Sequence, residues 1–387
     1  MMMKVQKYLA EHGLEKLKAD LHIIVTEYPD RVVLNYDQIE SPKFNPIVME
    51  CRALILRRDT WEVMARSFDR FFNIMEDPRY KDFPVDKARI EQKIDGSLID
   101  VYWDGEKWCI ATRKMAFGEG KSVQGNTFAD IFRRAVTGGA LWSYLGENIH
   151  SARHFTWTFE LVSPETRVVT PYPEIKVFLT GCRHNQSGQE MSGDYLDSVA
   201  KIMHIARPQS FRFNSIEETI AKANELAAMD EGYVLVVENT EDYYGSHWRL
   251  KCKNEKYLAI AHLRNNGGLS PKRVLKLVME NETAEYLSYF PEDKVYFDFV
   301  QQVWDELVAR IQATYDECKE IGAQKDFALA IIPRCKYSFE SGIMFQARKS
   351  GQNLVDILRS FGHDKVSKGM GLRQMFQKQF QVQLEEE

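Results

Sequence analysis

The chain has 387 residues, 44% of them hydrophobic and 28% charged, and a formal net charge of −5 at neutral pH. That length suggests two or three domains with a real buried core, and the composition excludes disorder as the bulk state. No run approaches the roughly 18–20 uninterrupted apolar residues of a membrane span. The N-terminal residues Met1-Met2-Met3-Lys4-Val5-Gln6-Lys7 lack a secretory apolar core, so a cytoplasmic protein with no membrane partner is expected. Six cysteines (51, 109, 182, 252, 318 and 335) form no C-x-x-C pair and read as reduced thiols. His150 and His154 stand four apart without the glutamate of H-E-x-x-H, and a transition-metal enzyme is disfavoured.

In chain order, residues 1–20 read as a short helix. Two strand-like runs, 23–25 and 32–34, flank a Pro29-Asp30 turn. Further strands are expected over 53–56, 62–66, 98–103, 107–112, 155–162, 175–180 and 233–237, with Asp104-Gly105 as a tight hairpin turn. Asn126 is placed to cap a helix running to about Val136, and Ser215-Ile216-Glu217-Glu218 reads as a capping box. To about residue 260 the pattern is α+β with mostly antiparallel sheets, not βαβ alternation. Asn265-Asn266-Gly267-Gly268 then reads as a linker, and Ser270-Pro271 as a helix start. Beyond it, Phe299, Val300, Val303, Trp304, Leu307, Ile311 and Tyr315 share one helical face, a core seam of an all-helical C-terminal domain over 265–387. From 331 to 380 that domain carries nine Lys/Arg against three acids, a local basic surface inside an acidic protein. Such a surface suits a guided polyanion, although a solvated helical face would look the same.

Chemistry concentrates in 1–260. Lys93-Ile94-Asp95-Gly96-Ser97 places a lysine two residues before an Asp-Gly turn. A lysine is a weak nucleophile at neutral pH unless cations, a divalent metal or burial favour its neutral amine. Lys251-Cys252-Lys253 ends a strand with two lysines on one face, which could depress that amine's pKa and neutralise phosphate charge. Glu160, in Phe159-Glu160-Leu161-Val162, and Glu231, in Glu231-Gly232-Tyr233-Val234, offer carboxylates for a ribose or a metal. Upstream, Glu50-Cys51-Arg52 and Arg66-Ser67-Phe68-Asp69-Arg70-Phe71-Phe72-Asn73 offer guanidinium groups suited to phosphate. Singly, each is most often a half-exposed strand charge.

The ordered set Lys-x-Asp-Gly-Ser, Phe-Glu-Leu-Val, Glu-Gly-Tyr-Val and Lys-x-Lys resembles the motifs of the covalent nucleotidyltransferases. With the upstream Glu-Cys-Arg and Arg-Phe-Phe-Asn blocks, the chain from about Asn35 to Lys253 resembles the phage-type ATP-dependent RNA ligase 1 family. The resemblance implies an adenylyltransferase domain over 1–260 and a C-terminal domain over 265–387 that recognises RNA ends or tRNA. It implies joining of 5′-phosphate and 3′-hydroxyl RNA ends through a lysyl-AMP intermediate and an adenylated RNA end. ATP and Mg²⁺ would be required, with Mn²⁺ able to substitute.

Cleaved tRNA is the best-known substrate of that family, and single-stranded DNA a side substrate. A monomer is expected, acting in the host cytoplasm if phage-encoded. Carried over by position, Lys93 is the adenylated nucleophile, Glu160 binds the ribose, and Glu231 orients the lysine or holds a metal through water. Lys251 and Lys253 grip the triphosphate, while Tyr36, Arg52, Arg70, Phe72, Gly96 and Arg113 complete the ATP site. Arg70 and Arg113 depart from the family pattern, which has lysines there, so their contact geometry differs. Glu282 and Glu285 are candidates for the family's C-terminal metal ligand.

Two other enzymatic readings compete. Gly118-Glu119-Gly120-Lys121-Ser122 resembles the end of a phosphate-binding loop, but the required first glycine is Met115. A DNA ligase or capping enzyme would append a β-barrel after Lys-x-Lys, where this tail reads as helices. From another class, a non-catalytic RNA-binding protein could retain the same fold.

Overall fold

The computed structural model describes residues 2–122, 124–238, 247–263 and 269–380. The chain separates into two compact units, Met1–Ala259 and Ile260–Glu387. The linker expected at Asn265-Asn266-Gly267-Gly268 lies outside the described residues.

The first unit is mixed α/β with antiparallel sheets. Its strands are β1 (Ile23–Glu27), β2 (Arg31–Tyr36), β3 (Arg52–Arg57), β4 (Val63–Ala65), β5 (Phe72–Asn73), β6 (Arg89–Gln92) and β7 (Ser97–Trp103). They continue as β8 (Trp108–Thr112), β9 (Phe155–Val162), β10 (Lys176–His184), β11 (Ser210–Phe211), β12 (Gly232–Val237) and β13 (Trp248–Lys253). Three sheets result, ordered β1-β2-β3-β4, β10-β9-β7-β8 and β11-β6-β12-β13-β5. The short β5 joins β13 in parallel, pairing Phe72 with Leu250 and Asn73 with Lys251.

Hydrophobic alternation explains the layering. On β9, Trp157, Phe159 and Leu161 enter a core with Ile99, Val101, Ile131 and Phe132, while Thr156 and Thr158 on the opposite face are also buried. A strand buried on both faces must satisfy its polar side chains internally. Thr158 does so by donating to Asp100 at 2.7 Å. The first helix, Lys4–Leu21, breaks at Gly13 and buries Val5, Leu9 and Leu17 against the first sheet.

Two helix starts differ from the sequence expectation. The helix Phe128–Ala135 is capped by Thr127, whose hydroxyl accepts from the Asp130 amide. Asn126 is drawn away because its amide donates to Glu165 at 2.7 Å. Ser215 does cap Ile216–Glu225, but Glu218 closes on the Asn214 amide at 2.7 Å rather than on Ser215. The carboxylate gains a second bond there, from the Asn214 side chain at 2.9 Å.

The second unit is helical throughout its described residues: Pro271–Met279, Thr283–Tyr289, Lys294–Cys318, Gln324–Ile331, Glu340–Ser350, Leu354–Ser360, His363–Met370 and Leu372–Phe380. Ser270 caps the first of these, accepting from the Arg273 amide at 3.3 Å. The long helix Lys294–Cys318 buries Phe297, Val300, Trp304, Leu307, Ile311, Thr314 and Cys318. That seam alternates steps of three and four; Phe299, Val303 and Tyr315, expected in it, sit half-buried at its margin. Local spacing finds the face but not its centre, which the packing partners set. Among the described residues no helix is long and apolar enough to cross a membrane.

Candidate active site

Three strand ends of one sheet assemble the centre of the site. β6 stops at Gln92, opposite Tyr233 of β12, and the Lys93 amide donates to the Gly232 carbonyl at 2.8 Å. Lys253 on β13 pairs with Gly232 from the other side. Glu231 is thereby set between two lysines, its Oε2 2.7 Å from Lys93 Nζ and its Oε1 2.9 Å from Lys253 Nζ. Gly232 makes this possible: its φ is +130°, and a Cβ there would stand 2.1 Å from the Cys252 carbonyl oxygen.

Electrostatics follow from that geometry. Burial opposes the Lys93 charge, but the Glu231 and Glu160 carboxylates outweigh it and hold the ammonium above its usual pKa. Glu231 is itself disfavoured by burial, yet Lys93 and Lys253 keep its carboxyl below the usual range. The sequence expectation that the Lys251/Lys253 pair would lower the Lys93 pKa is therefore corrected, because a carboxylate sits between Lys253 and the amine. Lys251 instead carries the depressed pKa, well below normal, through burial and the charges of Arg52, Lys93 and Lys253. Burial pushes Glu160 up to about 7.

Glu160 reaches this centre because Gly96 lets the turn after Lys93 press onto β9. A Cβ on Gly96 would lie 2.5 Å from the Leu161 carbonyl oxygen. Asp95 anchors the same turn: its Oδ2 accepts from the Val169 and Thr170 amides at 2.8 and 2.7 Å, and Tyr257 Oη donates to its Oδ1 at 2.7 Å. A cavity of about 180 Å³ opens on Lys93 and Glu231, lined also by Gln92, Tyr172, Phe211 and Tyr233.

A cationic wall stands beside this centre. The Arg52 guanidinium lies 5.4 Å from the Phe71 ring centre, and Lys251 Nζ lies 4.6 Å from the same ring. Arg70 and Arg113 both pack on Tyr36, at 4.0 and 4.7 Å from its ring centre. Arg113 Nε also donates to Asn35 Oδ1 at 3.1 Å. Planar guanidinium groups stack on an aromatic face as an ammonium cannot, which accounts for arginine at these two positions. Phe72 is buried against Phe44, with Arg70 over its ring at 5.4 Å. Burial lowers the pKa of both Arg70 and Arg113. One Nη1 of Arg52 and one of Arg70 are buried with no hydrogen-bond partner among the described residues. Buried donors left unpaired cost about 1–3 kcal/mol each, a cost that an acceptor from outside would relieve.

A buried ionic frame supports the wall. Arg183 Nη1 lies 2.8 Å from Asp69 Oδ1, in the loop that delivers Arg70. Glu190 accepts two bonds from Arg249, two residues before Lys251. Burial disfavours both carboxylates, yet their arginines hold each at about 2.

All eleven residues singled out from the sequence lie in Met1–Ala259. They form two clusters, Lys93-Glu160-Glu231-Lys251-Lys253 and Tyr36-Arg70-Arg113 over Phe72, joined by Arg52; Gly96 acts through close packing. Sequence reasoning missed Phe71 and Tyr257. Phe71 lay within a quoted block with nothing to separate it from Phe72. Tyr257, four residues past Lys253, carried no local signal. Gly118–Ser122 is no phosphate cradle: Lys121 bridges Thr127 antiparallel, and the preceding β8 is an antiparallel strand. In the second unit Glu282 is half-buried before the helix Thr283–Tyr289. The Glu285 side chain lies outside the described residues.

Lys93 is thus clamped by Glu231, with Arg52, whose Nη1 is buried without a partner among the described residues, joining this centre to the second cluster. Residues 50–257 match the family described as RNA ligase, and the chain belongs to this phage-type RNA ligase family. It is 30% identical over 309 residues to a protein of Autographa californica nuclear polyhedrosis virus named as a bifunctional polynucleotide kinase/RNA ligase, covering 76% of this chain and 42% of that one. It is 23% identical to the RNA ligase of Rhodothermus phage RM378, covering 73% of this chain and 75% of that one. The chain thus spans less than half the length of the viral relative. An archaeal ATP-dependent RNA ligase structure shares 13% identity at a TM-score of 0.46, over 81% of this chain and 83% of that one.

Proposed function

We propose that this chain is an ATP-dependent RNA ligase that joins a 5′-phosphate to a 3′-hydroxyl. The observation that carries the reading is Lys93 Nζ held 2.7 Å from Glu231, next to Arg52, whose buried Nη1 has no partner among the described residues. Family membership supports the same chemistry.

Lys93 Nζ, once neutral, attacks the α-phosphorus of ATP; a P–N bond forms, the α–β P–O bond breaks and pyrophosphate leaves. Glu231 aims Nζ, while Arg52, Lys251 and Lys253 neutralise the phosphate oxygens, which is where most phosphoryl-transfer catalysis resides. AMP then passes to the RNA 5′-phosphate as the P–N bond breaks. A 3′-hydroxyl finally displaces AMP and the phosphodiester closes. Glu160, half-buried on β9, is the carboxylate for the ribose hydroxyls. Mg²⁺, or Mn²⁺ in its place, needs only one or two carboxylates besides phosphate oxygens and water, and Glu160 and Glu231 fit that set. When bound it would neutralise charge on the phosphates.

The helical unit, whose stretch 331–380 carries nine Lys/Arg against three acids, is the part that selects RNA, with a cleaved tRNA as one candidate and single-stranded DNA as a weaker substrate. The setting would be the cytoplasm, with the protein acting as a monomer.

The test is incubation with α-labelled ATP and Mg²⁺, followed by denaturing electrophoresis and intact-mass analysis. One AMP per chain on Lys93, absent in Lys93→Ala, is the expected result. No adduct on folded, AMP-free protein, with GTP also tried, would overturn it in favour of a non-catalytic RNA-binding protein.

A further inference from the structure

In the second unit three aromatic rings line up where three helices meet. Tyr337 and Phe339 lie just before the helix Glu340–Ser350, their rings 5.9 Å apart and inclined by only 4°. Phe361, after the helix Leu354–Ser360, stacks on Phe339 at 6.2 Å and 30°. All three are half-buried, so the ladder is neither core nor a chance surface ring.

Cations surround it. Arg310 lies 5.4 Å and Lys336 Nζ 5.3 Å from the Tyr337 ring centre, and Lys365 Nζ lies 5.4 Å from that of Phe361. Lys336, Lys365 and the nearby Lys368 are exposed, and no carboxylate among the described residues pairs with them. The support is rigid: the Glu340 side chain, 1% exposed, binds Arg310 Nη2 at 2.5 Å and accepts from the Lys336 amide at 3.0 Å. That buried pair holds both Arg310 and the segment bearing Tyr337. Flat rings beside unpaired ammonium groups match bases alternating with phosphates, whereas a protein partner of ordinary composition would leave these lysines uncompensated.

We propose that the Tyr337–Phe339–Phe361 ladder, with Lys336 and Lys365, is a stacking platform for single-stranded RNA. Bases lie against the exposed ring surface and the lysines follow the phosphates. The platform rests on the RNA ligase reading and gives it a place on the helical unit where an unpaired RNA segment is held.

The experiment uses the full chain and a fluorescein-labelled 12-nucleotide single-stranded RNA, with a 12-base-pair RNA duplex as control, read by anisotropy across salt concentrations. Tyr337→Leu/Phe361→Leu keeps apolar bulk but removes the flat rings. It is expected to weaken single-strand binding about tenfold, from base–aromatic stacking of about 1–3 kcal/mol per base, and to leave duplex binding unchanged. Lys336→Gln/Lys365→Gln, a surface change that does not touch the packing, is expected to flatten the salt slope by about 1.4, from about 0.7 per phosphate contact. Unchanged single-strand binding in both variants, or equal losses for single strand and duplex, would overturn the platform. Lysyl-AMP formation, assayed with ATP alone, separates the two readings. If the parent chain forms no adduct the ligase reading fails; if all variants form it and bind RNA as the parent does, only the platform fails.

Discussion

Glu231 and Lys93 face each other at 2.7 Å, with Lys253 on the second carboxylate oxygen at 2.9 Å. Lys93 is thus held as an ammonium in a geometry that fixes its direction, and the attack proposed for it requires that it lose a proton.

The pH dependence of lysyl-AMP formation follows. The Lys93 pKa is raised by Glu231 and Glu160 against the effect of burial, so the reactive neutral fraction grows with pH throughout the neutral range. Glu160 ionises at about 7 because it is buried, and only its ionised form is a full acceptor for ribose hydroxyls. Single-turnover adenylation should rise from pH 6 to 9 with a break near 7. Glu160→Gln should lose the break and keep the rise; a break that persists would assign it elsewhere.

Asp100 should act as a built-in cost. Burial pushes its carboxyl from 3.8 up to about 7, against the Thr158 hydrogen bond and the Arg52 charge, and its Oδ2 is buried without a partner among the described residues. A carboxyl whose pKa is raised on folding destabilises the fold increasingly as pH climbs from the unfolded to the folded value, and by a constant amount above that. Asp100→Asn should therefore stabilise the protein by about 1–3 kcal/mol at pH 8 and by almost nothing at pH 3.5. Denaturant unfolding at the two pH values checks the sign.

Glu190→Gln should do the opposite. It leaves Arg249 without its buried counter-charge, a change that costs about 3–5 kcal/mol. Because Arg249 lies two residues before Lys251 on β13, the loss should also raise the KM for ATP more than it lowers kcat. A variant with lower stability but unchanged KM would limit Glu190 to a structural role.

Gly232→Ala should damage fold and site together. The residue's φ is +130°, and the new methyl would meet the Cys252 carbonyl. Strain of this kind costs about 1–3 kcal/mol, and relieving it must move Glu231 away from Lys93. Intact mass after ATP treatment should show little or no AMP adduct, alongside a lower melting temperature.

Motif order and strand alternation, both local properties, were enough to name Lys93, Glu160, Glu231, Lys251 and Lys253 and to foresee antiparallel sheets followed by helices. Charge state was not local. Whether Lys93 is a poised amine or a clamped ammonium depends on whether the Glu231 carboxylate meets it, and that is set by the pairing of β6 with β12 and of β12 with β13. The same holds for Asn126, which lost its capping role to a distant Glu165, and for Phe71, which became a shared support only when Arg52 and Lys251 came to its ring from separate strands. The sequence by itself determined which titratable side chains stand in the ordered motifs, because identity and spacing are written in it. Only tertiary structure decided their pKa values, their partners and which cations stay unpaired, because burial and Coulomb interaction depend on distances between residues far apart in the chain.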